Sequence, residues 1–523
     1  MTVSQRGAIA AGHPQTVEAG LEMFRLGGNA FDAAIAAMFA SWVTEPALTS
    51  PGGGGFCLAH TQSGDDILFD FFTQTPKVKR TPAESDFYPI IVDFGGVQQE
   101  FHIGLGSIAT PGSLDGAIHI HKRLGRLPLA EVAAPAIEFA RYGVSVSTFQ
   151  HYVLELLEPI LTTSPHMQPV YAPQGQLLGV GDTCVMTDFA NTLEFLVTEG
   201  TIAFREGDIA KLVVRDCQDR GGHLTLDDLR HYRTIERQPL AVNYRGRMLL
   251  SNPPPSFGGT LIAFCLKLLE RLEMRSLDFG SQAHLEVLAT VMRQTDLARR
   301  DRLNRHIQRD GIAAEFLASE LLDIYAAGMA SRASKLGSTT HISALDNDGN
   351  AASITASNGE GSSYTIPNTG IMLNNMLGED DLNPDGFHRW PEDVRMSSMM
   401  APSMMLAGEG LNHGKPETVL GSGGSKRIRT AIAQVISNLV DFGMSVEQAV
   451  SSPRMHWDEG KLNVEPGFAG ISPEALGDML GARIVQWNKQ NMFFGGVNTV
   501  ARSGNGQFFG AGDGRREGCA DWV

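Results

Sequence analysis

Two adjacent threonines, Thr339 and Thr340, stand where a Ser/Ala/Gly/Lys-rich stretch, residues 327–338, runs into a strand pattern. A threonine hydroxyl attacks a carbonyl only when a base takes its proton. Cutting the chain before the threonine supplies one. The freed α-amine has a pKa of about 7.7–8.0, so much of it is neutral near physiological pH. The placement suits this scheme, because the strand fixes the nucleophile and the linker can move away after cleavage. The expected cleavage site is the Ser338–Thr339 bond, with Thr339 as the new N-terminus.

A second feature complements the first. Residues 417–420 read as a short strand, followed by Gly421-Ser422-Gly423-Gly424-Ser425. A helix comes next, with Ile428, Ala431, Ile432, Val435, Ile436 and Leu439 in one apolar stripe. Backbone N–H groups at Gly423 and Gly424 are thus expected near a helix N-terminus, ready to donate to an anion. A tetrahedral oxyanion needs such donors, and losing one costs about 3–4 kcal/mol in the barrier. The competing reading is a tight structural turn. A phosphate loop is excluded, since GxxxxGK[ST] is not matched.

Other elements must carry these groups. Thr340 to Leu345 alternates, with His341, Ser343 and Leu345 on one face and Thr340, Ile342 and Ala344 on the other. Asp346-Asn347-Asp348-Gly349-Asn350 is a hairpin turn, and residues 351–357 return as the second strand. Upstream, residues 16–26 read as a helix that stops at Gly27-Gly28. Asn29 then caps a buried helix over 33–43, with Asp32 in its first turn. It ends before the glycine loop 52–55, and further helices are expected at 129–141, 260–272 and 281–299.

At 523 residues the chain can bury a large core. Its net charge of -16 argues against nucleic acid or an anionic membrane as partner. The longest candidate spanning run, 33–43, is too short for a bilayer, so no membrane is expected. The N-terminal residues lack the apolar core and cleavage site of a secretory signal, which gives a cytoplasmic expectation. The five cysteines are scattered and form no CxxC pair, so neither a disulfide framework nor a zinc site is expected. No cofactor and no metal is expected. His119 and His121 do not share a helix face, and no other ligand cluster stands out.

With Thr339-Thr340-His341 and the Asp348-Gly349-Asn350 turn, the chain resembles the γ-glutamyltransferase family of N-terminal nucleophile hydrolases. The likeness continues through Gly370-Ile371-Met372-Leu373-Asn374-Asn375, Ser397-Ser398-Met399, the 421–425 segment and Asp513-Gly514-Arg515-Arg516. In the other half it covers Gly27-Gly28-Asn29-Ala30, the loop 52–56, Thr110-Pro111-Gly112, Asp227-Asp228-Leu229 and Pro253-Pro254-Pro255-Ser256. The resemblance implies an α+β fold, a four-layer αββα sandwich. It implies a precursor cut into a large chain, 1–338, and a small chain, 339–523, which share one intertwined core. Thr339 becomes the nucleophile and Gly423 and Gly424 the oxyanion donors. Ser357 stands where the family has a second threonine that steadies the nucleophile, and Ser397 and Ser398 match a pair that binds the substrate's α-carboxylate.

Departures from the pattern bear on the substrate. Members that use γ-glutamyl donors carry a carboxylate-gripping arginine in Asp-Phe-Arg-Glu-x-Ala-Pro. Here the segment is Asp70-Phe71-Phe72-Thr73-Gln74-Thr75-Pro76, with Phe72 in the arginine's place. Phenylalanine offers no charged, bidentate partner. The family's aspartate for the α-amino group falls at Glu379, and the preceding glutamine at Met376. A substrate-binding asparagine falls at Gly359, with Asn358 one residue early. Arg389 and Arg395 are candidate replacements for the lost cation, against a reading as ordinary surface residues. The stretch Phe387-His388-Arg389-Trp390 reads as a cover over the pocket or as merely packed, and Glu360 as a solvated turn residue rather than a catalytic acid. Met396, Met399, Met400, Met404 and Met405 read as core or groove lining.

The expected activity is a self-processing amidohydrolase or acyltransferase. Its donor is a small-molecule amide of γ-glutamyl type, and its acceptor is water or an amine. An acylase for donors without an α-carboxylate, of β-lactam side-chain type, is the alternative within enzymes. An unprocessed small-molecule binder is the alternative outside them. Homo-oligomerisation is left open.

Overall fold

The computed structural model describes residues 5–93, 98–327, 339–383, 385–408, 413–458, 460–468 and 472–523. The expected linker beyond Ala327, Ser338 included, falls outside these residues. Two large sheets form the centre. The first holds β1 (Gly7–Ala11), β2 (Gly54–His60), β3 (Asp66–Phe71), β4 (Ile235–Arg237), β7 (Thr340–Asp346), β8 (Ala351–Ser357) and β13 (Cys519–Trp522). Its order is β13-β1-β7-β8-β2-β3-β4, antiparallel throughout. The second holds β5 (Leu240–Tyr244), β6 (Arg247–Ser251), β9 (Ser403–Leu406), β10 (Pro416–Gly423), β11 (Gly496–Arg502) and β12 (Phe508–Ala511), in the order β12-β11-β10-β9-β6-β5.

Period-two alternation explains the layering. Ile9, Ala11, Ile342, Ala344 and Ile354 pack outward against α1 (Pro14–Arg25) and α2 (Ala30–Thr44). Ala8, Ala10 and Leu345 point inward, into a core shared with Val419, Leu420, Val497 and Val500 of the second sheet. That sheet is covered by α5 (Gly258–Glu270), α6 (Gln282–Ala298) and α7 (Arg427–Val440), which share the same core. The chain is thus helix, sheet, sheet, helix. The α2 helix begins with a reciprocal Asn29–Asp32 capping box and is buried over its whole length. No helix among the described residues is long and apolar enough to cross a membrane.

Two elements differ from their sequence patterns. The β10 strand does not stop at Leu420 but runs on through Gly423. A Cβ at Gly421 would collide with the His341 ring, and one at Gly423 with the Thr339 carbonyl. These glycines therefore permit close approach of two sheets rather than a turn. The helix after them is buried on nearly every face, Arg427 and Arg429 included, while Leu439 of the expected apolar stripe is only half-buried.

Candidate active site

Thr339 lies immediately before β7, at the end of the interface between the two sheets. Register carries it to its neighbours. Thr340 pairs with Ala356 across β7 and β8, so one step further sets Thr339 opposite Ser357. On the other side, the Cα of Gly423 lies against the Thr339 carbonyl oxygen. Arg516 donates to that oxygen from Nη1 at 3.2 Å and to the Met492 carbonyl from Nη2 at 3.2 Å. The Thr339 backbone is thus held by a strand, a glycine and a buried guanidinium. Burial lowers the Arg516 pKa to about 10, with Asp513, Glu45 and Glu360 opposing the shift, so it stays a cation.

Gly424 follows with φ +117, a left-handed conformation, and α7 starts at Arg427. The N–H groups of Gly424 and Ser425, in the turn that leads into α7, have no acceptor among the described residues. This is the donor arrangement an oxyanion requires.

The base is constrained by what surrounds it. His341, on the same strand face as Thr339, bonds through Nδ1 to Thr355 Oγ1 at 2.8 Å and through Nε2 to Ser343 Oγ at 2.9 Å. Burial lowers its pKa to about 3. Both nitrogens are committed to the inter-sheet network, so a threonine–histidine pair is not the activation scheme here. Ser357 Oγ accepts the Gly359 N–H at 3.0 Å.

A small cavity opens beside Thr339 and Ser357. Its apolar wall includes Phe72, Met376, Met399, Met400 and Ile428. Its polar wall includes Ser398, Ser425, Glu379 and Asp381. Phe72 is buried and stacks on Phe56 with centroids 5.4 Å apart. Asp381 pairs with Lys426 at 3.1 Å and accepts from Ser425. Glu379 has no such cation. Burial first, then Glu360 and Asp381, push its pKa well above the usual carboxylate range, and Oε1 has no hydrogen-bond partner among the described residues.

That shift has a sign for stability. Glu379 keeps its proton in the fold above the pH where the unfolded chain has lost it, so the unfolded state binds fewer protons and stability falls as pH rises past the unfolded value. Glu379→Gln is therefore expected to be more stable than the parent at pH 8, with the gap closing toward pH 4.5. Thermal melts across that range check it.

The remaining predicted site residues scatter. Ser398 lines the cavity and its Oγ accepts the Met400 N–H at 3.0 Å. Ser397 instead lines an adjacent cavity with Arg389 and Trp390. Asn358 is buried and gives its N–H to Leu48 at 3.0 Å, outside the cavity wall. At Gly359, φ is +62 and a Cβ would collide with Asn375 Oδ1 and Glu379 Oε1. The family's asparagine cannot stand there in this backbone.

Two surface readings are corrected, and the 387–390 stretch takes its packed alternative. Arg395 is buried, and its Nη1 donates to Asp70 O, Asp70 Oδ1, Phe72 O and Tyr232 Oη, the longest of these at 3.0 Å. It braces the strand that carries Phe72 rather than replacing the lost cation. Glu360 is not solvated but buried beside Glu379. The 387–390 stretch does not cover the Thr339 cavity: Phe387 packs on Phe87 and His102, and Trp390 on His223.

Two residues escaped the sequence reading. Arg516 belongs to a motif whose pattern assigns it no contact with Thr339. Glu45 follows α2, and its Oε1 accepts from Thr340 Oγ1 at 2.8 Å. Burial raises its pKa to about 7, against the Thr340 bond and Arg516. A lone acid ending an apolar run signals a buried partner, and that signal was available.

The comparisons with known proteins agree with this geometry. The family model described as Gamma-glutamyltranspeptidase matches residues 16–522. The "Glutathione hydrolase proenzyme" of Escherichia coli (strain K12) is 28% identical over 98% of this chain and 91% of its own length. The "Acylase ACY 1 proenzyme" of Pseudomonas sp. (strain V22) is 30% identical over 98% of this chain and 93% of its own. Among solved structures, cephalosporin acylase from Bacillus halodurans superposes with a TM-score of 0.84 at 24% identity, covering 99% of this chain and 96% of that one, a likeness of fold.

Proposed function

The chain belongs to the gamma-glutamyltranspeptidase family of N-terminal nucleophile enzymes, and we propose that it acts within it as an acylase for amide donors without an α-carboxylate. The observation that carries this reading is the wall of the Thr339 cavity. Among the described residues lining it there is no lysine or arginine; it presents Phe72 and an unpaired Glu379 instead. A carboxylate placed there would lose its water without gaining a cation. An ammonium or an uncharged acyl chain meets no such cost. The acylase relative, similar over the same length as the glutathione hydrolase relative, supports the reading.

In this scheme the precursor cuts itself at Ser338–Thr339 into chains 1–338 and 339–523. The Thr339 hydroxyl attacks the Ser338 carbonyl, and water opens the resulting ester. In the mature enzyme the same hydroxyl attacks the donor amide while the Thr339 amine takes its proton. The N–H groups of Gly424, one of the two expected donors, and of its neighbour Ser425 stabilise the oxyanion. Ser357 and Ser398 bound the acyl site, with Glu379 at its acidic end. Water or an amine then releases the acyl group.

Three anilides of equal chain length test the donor class. Wild type is expected to turn over 4-aminobutyryl anilide best, γ-glutamyl anilide about one to two decades less efficiently in kcat/KM, and glutaryl anilide no better than γ-glutamyl. A preference for γ-glutamyl overturns the reading.

The amine's role has its own test. Activity of the processed enzyme should rise with pH through a midpoint near or below about 7.7–8.0, since the Arg516 cation beside Thr339 favours the neutral amine. Acetylation of that amine should abolish turnover while the melting temperature stays put. Undiminished turnover after confirmed acetylation contradicts the scheme.

A further inference from the structure

A second, narrow cavity lies on the other side of the nucleophile's strand, between the end of α2 and the segment carrying α4 (Thr148–Leu161). Its walls are mostly apolar, with Leu48, Val146, Val153 and Leu154 among them. Two buried polar atoms in its lining have no partner among the described residues: Glu45 Oε2 and Tyr171 Oη. Both side chains are more than nine-tenths buried. Leaving either unsatisfied is unfavourable, and a ligand with a hydrogen-bonding head would relieve the one it reaches.

We propose that this chamber is a binding site for a small aliphatic amine, its tail among the valine and leucine side chains and its ammonium against Glu45.

The charge of the lining selects the amine. No lysine or arginine lines the chamber among the described residues. His13 is held neutral near pH 7, with burial lowering its pKa to about 4. Its Nδ1 already accepts the Gln15 N–H at 3.2 Å. The remaining polar liner, Gln150, is committed as well: it donates to the Thr44 carbonyl and accepts the Ser147 N–H at 2.7 Å. Glu517 lies near His13 and accepts the Phe149 N–H at 3.0 Å, which adds negative potential at that edge. Arg516 acts on Glu45 from the Thr339 side. An anion would thus find no cation in the chamber, and an alkane would leave Glu45 and Tyr171 as they are. An ammonium pairs with the carboxylate. Phe149 and Gln150 are half-buried, which gives the chamber a rim open to solvent. The bound head would share the Glu45 carboxylate with Thr340, the residue next to the nucleophile.

The test is calorimetric titration of the full enzyme with hexylamine, hexan-1-ol and hexanoate. Hexylamine is expected to bind with a Kd of about 0.1–1 mM, within reach of a ligand of this size. Hexanoate should bind at least tenfold more weakly, and hexan-1-ol between the two. Val153→Trp fills the chamber and should remove binding while turnover of the best anilide persists. Val146→Phe fills it independently, should Val153→Trp fail to fold. Equal affinity for hexanoate overturns the proposal. So does hexylamine binding that survives the filling variants, or that is lost when a slow donor acylates Thr339, since the amine would then occupy the acceptor site. These outcomes are separate from the anilide ranking, which tests the donor class.

Discussion

Thr339→Ala should yield a single uncut chain on a denaturing gel, where the parent resolves into two. Mass spectrometry of the parent should find a fragment from Thr339 to Val523. Turnover of the variant should fall by about four decades or more, because neither the nucleophile nor its amine is produced. The substitution removes a hydroxyl and a methyl but leaves the backbone contacts to Arg516 and Gly423 in place, so loss of fold does not account for the effect. Thr339→Ser keeps the hydroxyl and should process and turn over, more slowly. A Thr339→Ala chain still cut at this bond would remove Thr339 from the scheme.

Phe72→Arg should invert donor preference. The new guanidinium would face the cavity wall that now lacks a cation, and a charged hydrogen bond there is worth about 1.5–3 kcal/mol net. We expect kcat/KM for γ-glutamyl and glutaryl anilides to rise roughly ten- to a hundredfold, and that for 4-aminobutyryl anilide to stay level or fall. The recovery should be partial. Arg395 already uses the Asp70 carboxylate and the Phe72 carbonyl, so the new side chain is left with Glu379, the acid of the cavity wall that has no cation, and pairs with it in the empty site. Losing the stack on Phe56 should also lower the melting temperature, since such a pair contributes about 0.5–1.5 kcal/mol beyond area burial. Equal gains for all three donors would mean that Phe72 sets access rather than charge recognition.

Local pattern was enough for much of the scaffold. The alternation from Thr340 to Leu345 fixes which face each side chain takes, and the hairpin turn returns β8 in register. The Asn29–Asp32 box and the apolar run after it define α2 within a few residues. Family membership and the expected four layers were likewise legible, because spaced motifs along the whole chain keep their order.

What local pattern cannot contain is distance between remote segments. Thr339, Arg516 and Gly423 meet because β7 and β10 lie in facing sheets, and only that packing shows the glycines as points of close approach rather than a loop. The same limit explains the charged residues. Arg395, Glu360 and Glu45 each read locally as solvated or unremarked groups, yet each is buried among partners tens or hundreds of residues away. Burial sets the ionisation of Glu379 and Glu45, and burial is a property of the assembled layers. The sequence by itself determined the nucleophile's candidate, its strand and the family. The tertiary structure decided which side chains surround it and which of them carry charge, because packing alone fixes desolvation and the separation of groups far apart in the chain.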